Sequence, residues 1–167
     1  MGRATLATMP LYSNEERARR DASKWTRVQA VLAPLQFAVF LVSGVLIIRF
    51  LYSGSGYLAA TVSVMVKTGV LYSIMVTGAL WEREVFGRYL FAPAFFWEDL
   101  VSMLVIALHS AYVVCTAWLQ VTPQWQMAIA LAAYAAYAIN AAQFLVKLRA
   151  ARAERPAGVL TLQGARP

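Results

Sequence analysis

The sequence predicts an all-α integral membrane protein: a bundle of four transmembrane helices with both chain ends on the cytoplasmic side. Three observations predict it. Of 167 residues, 60% are hydrophobic, where soluble domains stay near 45–50%. The apolar residues fall into four long runs parted by short polar segments. The Lys and Arg residues collect in alternate segments.

Residues 1–24 form a polar lead with Arg3, Arg17, Arg19, Arg20 and Lys24. Ser13 followed by Glu16 has the spacing of a capping box, so a short interfacial helix is expected to start near Asn14. The run Val28–Ile48 carries no charge and reaches the ~20 residues that cross a bilayer. It is too long for a signal-peptide core and is read as a retained anchor. Trp25 and Tyr52 fit interfacial anchors at its two ends. Pro34 lies inside it, which a helix bundle in lipid tolerates.

Ser53-Gly54-Ser55-Gly56 reads as a tight turn. A second span is expected from Tyr57 to Trp81, interrupted by Lys67, then a polar loop from Glu82 to Arg88. Ala92-Pro93-Ala94 is expected to mark entry to the third helix, since proline is tolerated in a first turn. The third span covers Phe95 to Leu119, and Pro123 lies in the next turn. The fourth runs from Trp125 to Val146 and is Ala-rich, which permits close helix packing. The whole four-helix domain takes residues 25–149, and residues 150–167 read as a disordered tail.

The lead, the second loop and the tail contain Lys and Arg; the first loop, apart from Arg49 at its edge, and the third contain none. The positive-inside rule therefore puts both termini and the second loop in the cytoplasm. The formal charge of +7 fits anchoring to an anionic leaflet of membrane lipid, not nucleic acid. The single cysteine, Cys115, excludes a disulfide framework or multi-cysteine metal site within one chain. In an apolar run it reads as a small core residue.

Ionisable groups at membrane depth are costly and point to function. Lys67 lies about ten residues from each end of its span, near the midplane. Glu98 and His109 are eleven residues apart, close to three helical turns, so they share a face about 16 Å apart. Ser102 lies on the same stripe and Asp99 points elsewhere. Glu98 and Asp99 also fit the first turns of a helix, whose positive end welcomes carboxylates. Gln29, Gln36 and Ser43 line one stripe of the first span; Tyr137, Asn140, Phe144 and Lys147 line one of the fourth. Such stripes join helices by hydrogen bonds as readily as they bind ligands. No Gly-rich phosphate loop, zinc-ligand spacing or nucleophile elbow is present. An acidic, aromatic mouth above a buried Lys and His suits a flat, apolar ligand carrying an anionic group.

The run Val66-Lys67-Thr68-Gly69-Val70-Leu71-Tyr72, Trp81-Glu82, and the block from Gly87-Arg88-Tyr89 through Phe96-Trp97-Glu98-Asp99 closely resemble the bacteriochlorophyllide vinyl hydratase family. Asp21-Ala22-Ser23-Lys24-Trp25, Leu32-Ala33-Pro34-Leu35-Gln36-Phe37 and Asn140-Ala141-Ala142-Gln143-Phe144-Leu145 fit the same family. The resemblance covers about residues 11 to 150. It implies an enzyme of bacteriochlorophyll synthesis, a hydro-lyase in the photosynthetic inner membrane of a phototrophic bacterium. Members hydrate the C3 vinyl group of a chlorophyllide or bacteriochlorophyllide magnesium macrocycle to the 3-(1-hydroxyethyl) derivative. No redox cofactor is implied, and the magnesium belongs to the substrate.

The chemistry suggests roles. A proton on the terminal vinyl carbon leaves a cation that the ring delocalises, and water then adds. A carboxyl group kept neutral by burial is a suitable acid, which selects Glu98. Asp99 or Glu82 would orient water or take its proton. Lys67 or Arg88 would pair with the substrate propionate, and His109 would ligate magnesium axially. Trp81, Phe95, Phe96 and Trp97 would stack on the macrocycle, although aromatics near an interface also form membrane belts. Asn140 is counted with the substrate-binding residues. A non-catalytic pigment carrier or assembly factor would share the cavity and His109 without needing paired acids. A transporter or channel is expected to show internal repeats, and none is evident. Homo-oligomers are compatible with the Ala-rich spans.

Overall fold

The computed structural model describes residues 11–119 and 121–153. It contains five helices: α1 (Asn14–Ala22), α2 (Lys24–Ser53), α3 (Tyr57–Phe86), α4 (Phe96–Ala117) and α5 (Pro123–Ala153). The last four are long and apolar enough to cross a membrane. Their polarity is inverted relative to a soluble bundle. Val31, Val45, Leu58 and Val146 are exposed, whereas Gln36, Ser43, Lys67, Glu82, Glu98, Asp99, Ser102, His109 and Asn140 are buried. Water would penalise that arrangement; a hydrocarbon solvent accepts it, because lipid is as apolar as the outer side chains.

α1 begins with the capping box its sequence encodes. Ser13 Oγ accepts from the Glu16 N–H at 3.2 Å, and Glu16 Oε2 accepts from the Ser13 N–H at 2.7 Å. Ser23 then serves two helices: its N–H closes the end of α1, and its Oγ accepts from the Trp25 N–H to start α2. The same hydroxyl donates to Glu84 of α3 at 2.8 Å, and Arg19 Nε donates to the Val85 carbonyl at 2.9 Å. α1 is thereby tied to the end of α3.

α2 and α3 form an antiparallel hairpin. The turn works because Gly54 adopts φ 68°, a left-handed conformation that costs glycine nothing. Pro34 sits within α2 without ending it. α4 and α5 form the second closely packed pair, and the α2–α5 and α3–α4 contacts join the two pairs. Each helix pair is pinned by side-chain hydrogen bonds. Gln29 Nε2 donates to Thr77 Oγ1 at 2.8 Å, and Ser43 meets Ser63 at 2.7 Å. Tyr72 meets Ser110 at 2.7 Å, and Tyr57 donates to Gln126 at 2.6 Å.

The α4–α5 pair approaches closely because α5 turns Ala130, Ala133 and Ala136 inward. Ala133 has no exposed surface and packs among Ile47, Val64, Tyr112 and Tyr134. Ala133→Leu is expected to overpack this layer and cost about 1–3 kcal/mol. Unfolding in mixed micelles checks it, and wild-type stability would show the layer is loosely filled.

The boundaries depart from the sequence reading in three places. Residues 82–86, expected as loop, form the last turn of α3, which ends at Gly87 with φ 79°. Their polarity suggested a loop, but helical geometry aims Glu82 at α4 while the other charges face outward. Pro93 precedes α4 instead of entering it; a turn from the Phe95 N–H to the Ala92 carbonyl intervenes. α5 continues through Ala153, past the expected start of the tail. The rest of that tail, from 154 to 167, lies outside the described residues, as do residues 1–10 of the polar lead.

Candidate functional site

The segment between α3 and α4, residues 87–95, is held down by two carboxylates beneath it. Glu82 Oε1 accepts from the Ala92 N–H at 2.8 Å. Asp99 Oδ2 accepts from the Phe91 N–H at 2.7 Å. Phe91 has φ 60°, a conformation rare for a bulky residue. Holding it there costs about 1–3 kcal/mol, which the bond to Asp99 helps offset. The two carboxyl groups face each other within electrostatic reach. Asp99 thus leaves the Glu98 stripe, as its helical position implies, and turns toward α3.

Glu98, one residue earlier, faces α5. Its Oε2 lies 2.7 Å from Lys147 Nζ, and Lys147 also donates to the Ala94 carbonyl. Asn140 supports this corner from below. Its Nδ2 donates to the Glu98 carbonyl at 2.9 Å and to Ser102 Oγ at 3.0 Å. Glu98 and Lys147 form part of the wall of an open groove of about 620 Å³. The remaining wall is Leu11, Ile139, Ala142, Gln143, Val146 and Ala150. The groove is apolar along its length and polar at one corner, and its volume falls within the range of small-molecule sites.

Lys67 and His109 lie elsewhere. Both have no exposed surface and sit inside the bundle. His109 shares the buried face of α4 with Glu98 and Ser102. Its Nδ1 is 2.8 Å from the Val105 carbonyl, and its ring stacks on Tyr134 at 5.8 Å. Neither His109 nor Lys67 lines the groove.

The aromatic residues divide into two groups. Phe95 is buried against Tyr12, Trp81, Phe86 and Phe144. Trp81 spends its indole N–H on Thr26 Oγ1 at 2.9 Å. These residues plug the joint between α1, α3 and α4. Trp97 is 67% exposed and, with Phe96, faces outward, the placement of a membrane belt. Arg88 is exposed at the acidic end, within electrostatic reach of Glu82.

Sequence reasoning placed Lys147 on the Asn140 stripe but did not join it to Glu98, and it gave Gln143 no role. The Lys147 signal was available: Asn140 and Lys147 are two turns apart on one face, opposite a stripe bearing Glu98. The partner helix could not be read from spacing alone.

The molecule is thus a polytopic helical membrane protein with paired carboxyl groups and an ion pair at one end, beside an apolar groove. A family model described as 2-vinyl bacteriochlorophyllide hydratase matches residues 12–150. The 2-vinyl bacteriochlorophyllide hydratase of Rhodobacter capsulatus is 62% identical over 159 residues, covering 92% of this chain and 91% of the relative. That of Cereibacter sphaeroides is 60% identical over 150 residues, covering 88% and 91%. No solved structure matches. The chain belongs to the 2-vinyl bacteriochlorophyllide hydratase family.

Proposed function

We propose that this protein adds water across the ring vinyl group of a bacteriochlorophyllide-type macrocycle at the acidic end of the bundle. The relatives' names number that vinyl 2; the current ring numbering makes the same substituent C3. The observation that carries the reading for this chain is the Glu98–Lys147 ion pair in the wall of an apolar groove, with the buried carboxyl groups of Glu82 and Asp99 at the same end of the bundle. The macrocycle is flat and apolar, and the groove wall of Ile139, Ala142 and Val146 suits one of its faces.

The geometry favours a division of roles different from the one the sequence suggested. Glu98, bonded to Lys147, is the base that takes a proton from water. The Glu82–Asp99 pair, on the α3 side and outside the groove wall, is the reservoir from which the proton for the terminal vinyl carbon is drawn. The ring-attached carbon then carries the positive charge, and the water oxygen bonds to it. The proton that Glu98 receives returns to the pair, so the cycle closes without a redox change. Accordingly no redox cofactor is required, and the magnesium arrives with the substrate. Arg88, exposed beside Glu82, is the cation a propionate arm reaches most easily. Lys67 and His109 stand away from the groove, so we assign them no substrate contact there. Asn140 positions Glu98, Trp81 and Phe95 brace the joint, and Phe96 and Trp97 face lipid.

We place the acidic end and both chain ends on the cytoplasmic side of a photosynthetic bacterial inner membrane. The Lys and Arg distribution supports this, and α1, residues 87–95 and the end of α5 all meet at one end of the bundle. Purified protein in micelles is expected to convert a vinyl chlorophyllide into a product heavier by one water, with a blue-shifted absorption band. Pigment bound but recovered unchanged would mark a carrier instead.

A further inference from the structure

The middle of the bundle contains polar atoms that the hydration site does not use. Lys67 on α3 and His109 on α4 have no exposed surface, and Gln36 on α2 is 1% exposed. Lys67 Nζ, His109 Nε2 and both amide atoms of Gln36 are buried without a hydrogen-bonding protein partner. Buried polar atoms are almost always paired, with protein or with ordered water.

These side chains lie at one level. Gln29 bonds Thr77 and Ser43 bonds Ser63, so in the antiparallel α2–α3 pair Gln36 falls opposite residue 70, within a turn of Lys67. Lys67 Nζ lies 3.6 Å from the centre of the Tyr137 ring, and His109 stacks on Tyr134. The Phe40 ring touches both tyrosines, at 5.0 and 5.3 Å, and Gln36 is one turn from Phe40. Lys67 also lies within electrostatic reach of His109. The three side chains therefore stand at one level on three helices, around the Phe40, Tyr134 and Tyr137 rings.

The donor and acceptor pattern identifies the ligand. His109 Nδ1 faces a carbonyl, which only accepts, so Nδ1 carries the proton and Nε2 presents a lone pair. Lys67 offers only donors, and the ring of Tyr137 occupies one side of it. Gln36 offers both kinds. A ligand here must accept from Lys67 and from the Gln36 amide, and donate to His109 Nε2 and the Gln36 oxygen. A halide accepts but cannot donate, and it would meet the His109 lone pair. Water does both.

We propose that Lys67, Gln36 and His109 form an internal water site at mid-depth of the bundle, bridging α2, α3 and α4. Its water accepts from Lys67 and donates to His109, and it shields the ammonium from the surrounding hydrocarbon. The proposal stands independently of the hydratase reading.

A structure of the full chain in lipid, at a resolution that shows water, tests it. Compact density is expected within hydrogen-bonding distance of both Lys67 Nζ and His109 Nε2. A direct Lys67–His109 contact with nothing between overturns the proposal, as does an anomalous peak there after bromide soaking. Hydroxyl-radical footprinting gives a second readout, since radiolysis of a bound water labels the side chains around it. Oxidation of Tyr134 and Tyr137 is expected in the wild type and at least an order of magnitude less in Gln36→Leu/His109→Leu. Equal labelling in the two proteins, or none in either, counts against the site.

Discussion

Glu98→Gln is expected to lower vinyl hydration by about 10²–10⁴-fold, the contribution of a positioned base. That corresponds to about 2.7–5.4 kcal/mol of transition-state stabilisation. Glutamine keeps the shape and can still accept from Lys147, so the groove and the Asn140 bonds survive. What disappears is the carboxyl group proposed to take a proton from water. The loss should therefore fall on kcat, with pigment binding close to wild type. Initial rates followed by absorption, alongside a pigment titration, separate the two. A variant within an order of magnitude of wild-type turnover would remove Glu98 from the chemistry.

Glu82→Leu is expected to destabilise the fold by about 3 kcal/mol. The buried Ala92 N–H loses its acceptor, which costs about 1–3 kcal/mol, and Asp99 loses the carboxyl group it faces. The segment 87–95 then keeps one of its two carboxylate anchors, the Phe91 bond, with Phe91 in an unfavourable conformation. Glu82→Gln separates fold from function. Its amide accepts from Ala92 and donates to Asp99, so stability should stay within about 1 kcal/mol of wild type. The carboxyl group proposed as the proton source is gone, and turnover should drop by about 10²-fold or more. Unfolding in micelles and the hydration assay report the two effects. Wild-type turnover in Glu82→Gln would show that the pair only pins the loop.

The long elements were legible because lipid imposes a simple demand: about 20 apolar residues per crossing. Val28–Ile48 announces α2 by that rule alone. Helical periodicity likewise put Glu98, Ser102 and His109 on one buried face and turned Asp99 away. The ends of α3 and α4 were harder. Glu82-Arg83-Glu84 looks like loop by composition, yet only Glu82 is inward; the side facing a neighbour is a tertiary property. The meeting of Glu98 with Lys147, and of Glu82 with Asp99, depends on which helices lie adjacent. One chain read by itself does not encode that in any local pattern. The same limit hid the neighbours of His109, which stacks on Tyr134 inside the bundle.

The small hydroxyl and amide contacts between the helices have a consequence for how this bundle assembles. Lipid gives apolar helix faces no preference among sliding positions, so greasy surfaces alone would leave the rods free to slip. Gln29 with Thr77, Ser43 with Ser63, Tyr72 with Ser110 and Ser102 with Asn140 act as teeth on a key. A shift of one residue along any rod unmates a tooth and strands polar atoms in oil. The carboxyl groups at the top are thus aligned by latches far below them, spread across the thickness of the membrane.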